Sequence, residues 1–415
     1  MADLLGIVAI LVASLFVFVL AKRFPSISQL LIFAFIARIL LSLFNVYIGA
    51  LPDSRLDARG FELEAWVWSQ GNFSDVFFNF THGNHGFILS WFLALFYNLT
   101  DRSMLASQTL SVMFGMGSIY LGWKLSAEMW SKQVANKSAW VMAFFPTTML
   151  YSVLTMREVY IYFFILFALI GVVRWVKFEK LLDLLIAVVG FILASFFHGA
   201  MFLGLLVFIG FVFYRAFVDL LFSIKTTNYT YLQLLVLIGS SMVFTAFFLS
   251  AFEIPYLGTF REISIDTIIR RTSVTAVGGS AYPQWLNPQE FWDLIWKTPV
   301  RVMYLFFSPF PWDISKPLHI IGFLDGTLYL ILLSLIWRRR KFIFKNRSAK
   351  ILLVMLLVYA IVYSLGIGNS GTATRHRAKM FPIIFILVAP CIPVIRYGKG
   401  GRNLAKRGRT SVSEI

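Results

Sequence analysis

Eleven apolar runs mark out this chain, and they determine its surroundings before any other feature does. They cover about 4–21, 28–50, 104–123, 138–154, 159–173, 181–197, 200–214, 231–252, 317–336, 351–367 and 380–395. Most reach the ~17–25 residues that a helix needs to cross the hydrocarbon core of a bilayer. The shorter ones lean on aromatics such as Tyr160, Trp175 and Tyr214, whose rings favour the headgroup level. Only 14% of the 415 residues are charged, against about a quarter in a soluble domain. A chain this apolar cannot cover a water-facing surface, so its surroundings must be lipid. The sequence therefore predicts an all-α, polytopic membrane helical bundle with about eleven transmembrane helices, a single transmembrane domain over 1–415.

Sidedness follows from where the basic residues fall. A net charge of +17 would suggest nucleic acid in a soluble protein. In a membrane protein the same excess anchors loops on the cytoplasmic face, and no nucleic-acid partner is expected. Putting the segments after the odd-numbered runs on one side gathers 23 Lys and Arg against five acidic residues there, and leaves 13 against 14 on the other. The positive-inside rule then predicts an N-terminus outside and a C-terminus in the cytoplasm. The run at 4–21 has no basic segment before it and no A-x-A site ahead of Lys22-Arg23, so it reads as a retained span and not as a signal peptide. Cys391 lies alone in an apolar run, which makes it a packing residue with no intramolecular disulfide partner.

On this topology both long polar segments, 51–103 and 253–316, lie outside. Each carries a stretch too short to cross: Gly86–Tyr97 and Val300–Phe310. Such lengths suit interfacial or re-entrant helices. Fixed-period repeats, Walker A, GxSxG and HExxH are all absent, which argues against a cytoplasmic nucleotide-binding module.

The chemistry-bearing residues gather on the outer side. In Leu51–Gly71, Pro52 followed by Asp53-Ser54 suits a helix start, and Asp57, Phe61 and Ala65 recur at four-residue spacing on one face of a short surface helix. Carboxylates at Asp53 and Asp57 can serve as a general base or hold a divalent metal; the plainer alternative is a solvated loop with Asp53 as an N-cap. Arg157 and Glu158 stand at the next outer junction in otherwise apolar sequence, where isolated charges are costly and are usually functional. The glycine-rich Gly366–Thr374 permits a tight backbone before Arg375, His376, Arg377 and Lys379. That outside cluster of cations runs against the positive-inside trend and calls for an anion such as a phosphate or pyrophosphate, or for lipid headgroups. Arg261, Arg270, Arg271 and Arg301 can add to the same field. His82 and His85 have a spacing a metal can use, though a hydrogen-bonded loop fits them as well. Arg38 and Asp325 fall within spans and should face the bundle interior or reach its edge.

In order and spacing these features resemble the GT-C superfamily of polytopic glycosyltransferases. The resemblance rests on the first outer loop, D-A-x-x-F-x-x-x-A-x-x-x-x-x-G (Asp57, Ala58, Phe61, Ala65, Gly71), then Phe145-Pro146 and Tyr151-Ser152, then the acidic Glu158. It covers roughly 28–215, with 216–415 as a C-terminal transmembrane module. The later segments Ser308–Trp312 and Gly371–Arg377 also look like those of bacterial surface-polysaccharide membrane proteins, which brings in a repeat-unit polymerase as a close relative. The resemblance implies inverting transfer of a sugar from a polyprenyl-phosphate carrier of the undecaprenyl type to a glycan or lipid-linked acceptor, at the outer face of a bacterial cytoplasmic membrane. Asp57 or Asp53 would deprotonate the acceptor hydroxyl, Glu158 would orient acceptor or metal, and the outer cations would steady the phosphate leaving group. The family's acidic pair is Arg157-Glu158 in this chain, which leaves a divalent metal (Mg or Mn) open. A lipid-linked sugar transporter is the alternative from another class, and it calls for ionisable residues at mid-membrane.

Overall fold

The computed structural model describes residues 2–78, 88–226, 238–240, 242, 253–254, 258–259, 269–270 and 279–392. Apart from a two-residue antiparallel pairing of Glu253–Ile254 with Gly258–Thr259, the described elements are helical. Helices α1 (Ala2–Arg23), α2 (Ser28–Tyr47), α6 (Met104–Met129), α9 (Arg157–Phe178) and α11 (Phe202–Thr226) belong to the first half. Helices α13 (Pro317–Arg338) and α15 (Arg347–Gly366) belong to the second. These seven are long and apolar enough to cross a membrane, so this is a helical multi-pass membrane protein. They correspond to seven of the eleven apolar runs. The run at 231–252 lies almost wholly outside the described residues.

Three other runs take different forms. The one at 138–154 is two helices, α7 (Lys132–Phe144) and α8 (Pro146–Tyr151). Pro146 disfavours helical backbone at the residue before it, and Phe145 is extended at φ −65°, ψ 126°. The run at 181–197 is α10 (Leu181–Phe197), a shorter apolar helix of 17 residues. The last run belongs to α16 (Ser370–Val388), which begins ten residues earlier than the apolar signal. The tight glycine-permitted backbone expected before Lys379 is therefore helix from Ser370 onward. Asn369 caps that helix, its side chain accepting from the Gly371 and Thr372 amides, as an N-cap should. Every residue from Arg377 to Ala389 is buried. α16 is thus the axis of the bundle and has no lipid-facing wall along that length.

The short helices between α2 and α6 are α3 (Asp57–Trp68), α4 (Phe73–Phe78) and α5 (Ile88–Leu99). α3 and α5 pack on one another, burying Phe61 and Ala65 from one helix and Leu89 and Leu93 from the other. In the second outer segment α12 (Phe291–Phe307) is longer than the stretch from Val300 suggested and tolerates Pro299 inside it. A short α14 (Arg340–Ile343) joins α13 to α15.

Helix ends sort into two sets. At one, Lys177 Nζ donates to the Glu128 carbonyl and Arg174 pairs with Asp183 at 3.3 Å. Arg215 pairs with Glu179, and the Phe24 ring lies 4.6 Å from that of Tyr120. At the other, the Tyr47 hydroxyl donates to Asp3 at 2.7 Å. The bundle thus has a lysine- and arginine-rich end and an opposite end where the first outer loop sits.

Close approach of α9 and α10 depends on two glycines. A Cβ on Gly171 would sit 2.6 Å from the Asp183 carbonyl and against the Ala187 amide; one on Gly190 would lie 2.7 Å from the Ala168 Cα. Small residues let membrane helices bring their backbones together. Gly171→Val should destabilise the folded protein by about 1–3 kcal/mol or more through overpacking, read as a lower melting temperature in detergent. Melting at the wild-type temperature would mean that the two helices are not held this closely.

Candidate functional site

The first outer loop leaves α2 through a turn in which Asp53 adopts φ +64°. Aspartate tolerates this left-handed backbone better than most residues, and the turn aims its carboxylate back at the bundle. Asp57 follows in the first turn of α3, where the helix dipole favours a negative charge. Both carboxylates meet one guanidinium. Arg375 Nη2 lies 3.0 Å from Asp53 Oδ1 and its Nε 3.4 Å from Oδ2, while Nη1 donates to Asp57. The Tyr151 hydroxyl, at the end of α8, donates to Asp53 at 3.2 Å. Sites more than 300 residues apart in the chain are joined by these contacts. Burial alone would lower the Arg375 pKa, but its hydrogen bond to Asp53 and the charges of Asp53 and Asp57 raise it above the ordinary value.

A second cluster lies deeper along the same side of α16. Lys379 Nζ is 3.7 Å from Glu158 Oε1 and 3.3 Å from His376 Nδ1. The Glu158 Oε2 atom is buried, with no hydrogen-bond partner among the described residues. The His376 ring stacks near Tyr363 at 4.6 Å and near His198 at 5.2 Å, and Tyr363 and His198 share a hydrogen bond of 3.3 Å. Burial, then the charge of Lys379, depresses both histidine pKa values well below the usual range and keeps the rings neutral. Arg157 lies 4.9 Å above the Phe61 ring, so the second outer junction touches the first outer loop. Asp53, Asp57 and Arg375 thus form one cluster and Glu158, His376 and Lys379 a second along the same side of α16, a polar seam in two parts, with Arg157 against Phe61.

Arg377 points elsewhere, about 200° around the helix from Arg375. Its Nε donates to Asp325 at 2.8 Å and its Nη1 to the Phe306 and Ser308 carbonyls at 3.1 and 2.6 Å. Its Nη2 donates to the Gly322 carbonyl at 3.0 Å and to Thr374 at 3.2 Å. All five guanidinium donors are then used. Thr147 donates to the other Asp325 oxygen. Arg377 ties α12 and α13 to α16, and in this arrangement it offers nothing to a phosphate. Arg301 is likewise spent inside, on the Ser364, Leu286 and Ile367 carbonyls. Arg38 faces the interior too, donating to Ser152 at 2.8 Å and to the Ala143 carbonyl at 2.8 Å.

Of the remaining candidates, Arg270 is exposed and no described contact brings it to the seam. His82, His85, Arg261 and Arg271 lie outside the described residues. Among the described residues no three His, Cys, Asp or Glu side chains converge on one point. Asp53 and Asp57 would be the obvious pair for a dication, but the Arg375 guanidinium stands between them. The residues present do not form a dication site in this arrangement.

Sequence reasoning missed the pair of Arg102 and Glu62. Arg102 Nε and Nη2 donate to the two carboxylate oxygens at 2.9 and 2.8 Å, and the Tyr97 hydroxyl adds a contact of 3.2 Å. The available signal was Glu62 lying three residues after Arg59 on the inward side of α3, with Arg102 just before α6. No protein-family model matches the chain, and no curated protein or solved structure matches it either.

Removing one partner of a buried ion pair strands the other charge, at about 3–5 kcal/mol. Arg377→Met should therefore lower the melting temperature sharply, and Arg377→Met with Asp325→Asn should recover much of the loss. A phosphate-binding Arg377 would instead leave stability intact in the single variant and abolish ligand binding.

Proposed function

We propose that the protein transfers a sugar or oligosaccharide from a polyprenyl-(pyro)phosphate carrier to an acceptor hydroxyl at the outer face of a bacterial cytoplasmic membrane, as the resemblance to GT-C glycosyltransferases implies. The observation that carries this reading is the meeting of Asp53, Asp57 and Arg375, with Tyr151, at the end of the bundle opposite the lysine- and arginine-rich one. By the positive-inside rule that end faces outward, with the N-terminus on the same side and the C-terminus in the cytoplasm.

In the proposed reaction the acceptor hydroxyl displaces the Arg375 guanidinium from Asp57. The carboxylate takes the hydroxyl proton, and the acceptor oxygen forms its bond to the anomeric carbon from the side opposite the phosphate. The bond from that carbon to the phosphate oxygen breaks, its electron pair leaves with the polyprenyl phosphate, and the anomeric configuration inverts. Asp53, itself held by the Tyr151 hydroxyl, keeps Arg375 in place, and once freed from Asp57 the guanidinium can meet the charge developing on the leaving group. Glu158, at the start of α9, lies within the same seam and suits a group that orients the acceptor. Synthesis of a surface polysaccharide is the natural setting, and a polymerase transferring whole repeat units uses the same steps.

A transporter of lipid-linked sugar is the second reading, favoured by the buried Lys379, Glu158 and His198 beside the half-buried His376. One assay separates the two. Purified protein in vesicles, given a labelled undecaprenyl-linked sugar and an acceptor, should form a glycosidic bond, and Asp57→Asn should slow it by ~10²–10⁴-fold, the usual worth of a general base, without lowering folded yield. Full activity in both Asp53→Asn and Asp57→Asn would sink the carboxylate mechanism. Movement of label across the bilayer with no bond formed would select the transporter. A ladder of products in place of a single addition would select the polymerase.

A further inference from the structure

If the cations on α16 are consumed by the protein's own carboxylates and carbonyls, the positive charge open to a ligand must lie elsewhere. A cleft of about 340 Å³ opens between the end of α2, one face of α3 and the start of α6. Arg55, Arg59 and Arg102 line it. Glu62 is also in the wall, but both its oxygens are taken by Arg102, so that pair is neutral. Arg55 and Arg59 are exposed and have no acceptor among the described residues. Two guanidiniums so placed suit the planar, two-point recognition of a phosphate.

Two more observations define the ligand. Gln108 lines the cleft, is only 3% exposed, and its Oε1 has no partner among the described residues, leaving a buried acceptor for a donor such as a hydroxyl. Ile48 also lines the cleft and is 77% exposed just past the end of α2, so the opening has an apolar lip. The volume is at the low end for ligand pockets, roughly 300–1,000 Å³, enough for a headgroup and not for a long chain. Ala58, Arg59 and Glu62 present this cleft on one side of α3, while Asp57 engages Arg375 on another.

We propose that the cleft holds the phosphate or pyrophosphate headgroup of a lipid, gripped by Arg55 and Arg59, with the hydrocarbon chain leaving past Ile48 into the bilayer. This rests on the transfer reading only in naming that lipid as the sugar's carrier; phosphate capture by the cleft stands on its own lining. The test uses full-length protein in nanodiscs of neutral phosphatidylcholine. Geranylgeranyl pyrophosphate and inorganic pyrophosphate are the probes, and phosphatidylglycerol is a competitor. Geranylgeranyl pyrophosphate should bind, and Arg55→Gln with Arg59→Gln should weaken it at least tenfold, because hydrogen bonds between two ionised partners are roughly twice as strong as neutral ones. Arg55→Lys with Arg59→Lys should restore part of the binding, showing that the glutamine variant had not simply misfolded. Arg339→Gln with Arg340→Gln, at the other end of the bundle, should leave it unchanged. Inorganic pyrophosphate binding as tightly as the lipid would support the cleft and assign recognition to the phosphates alone; weaker binding would support it and assign a share to the chain. No binding, undiminished binding in the glutamine variant, or equal loss in the Arg339 and Arg340 variant would overturn the proposal; equal displacement by phosphatidylglycerol would uphold the cleft and assign it to lipid phosphates in general. Binding that depends on Arg55 and Arg59 with no glycosidic bond formed in any assay would uphold the cleft and reject the transfer reading.

Discussion

A cation buried among apolar helices must find an anion or a set of carbonyls at short range, because an unmatched charge there costs several kcal/mol. Helix α16 carries three such cations within five residues, at Arg375, Arg377 and Lys379, and its position at the centre of the bundle turns that requirement into an assembly rule. Arg375 draws in the turn after α2 and the start of α3. Arg377 draws in α12 and α13 from the other flank through Phe306, Ser308 and Asp325. Lys379 faces Glu158 on α9. At the far end the Trp130 indole donates to the Ile386 carbonyl at 2.8 Å, so the strut is fastened at both ends. The halves of the chain are joined in part by what one helix must neutralise, and in part by apolar packing such as Phe145 on Phe381.

Much of this was legible where it depends on hydrophobic patterning alone. Long apolar runs such as 4–21, 317–336 and 351–367 became helices because nothing in them competes. The face carrying Phe61 and Ala65 was readable from four-residue spacing, since α3 must bury it against α5. Where local and tertiary signals conflict, the pattern misled. Gly366 to Thr374 looks like a tight loop by composition, yet the Asn369 cap and the demand of buried cations for partners make it helix from Ser370. The run at 138–154 is apolar throughout, and only Pro146 betrays the break at Phe145.

The polar residues were harder to sort, for a physical reason. A sequence places Arg375 and Arg377 in the same basic run, but a helix sends them to different flanks, one to the carboxylates of the outer loop and one to a sealed pocket of carbonyls. The run that looked like a phosphate site is therefore mostly structural glue. Arg55 and Arg59, on either side of Asp57, are left with charge to offer. Which arginine is spent and which is open depends on contacts far away in sequence, such as Glu62 with Arg102.

That sorting bears on how the outer loop can work. Asp57 shares one carboxylate oxygen with Arg375, and at that oxygen the guanidinium occupies the approach a hydroxyl would use. Anything that draws Arg375 aside opens the carboxylate to an incoming proton. A lipid phosphate seated at Arg55 and Arg59 would bring negative charge to the neighbouring face of the same short helix. In the proposed reaction, binding of the donor would then prepare the base for the acceptor, and an empty site would keep the carboxylate paired and idle. α3 is only twelve residues long and is fastened by α5 behind it. Small shifts of this one element would move the base and the leaving-group cations together, which ties the order of binding to the geometry of the first outer loop.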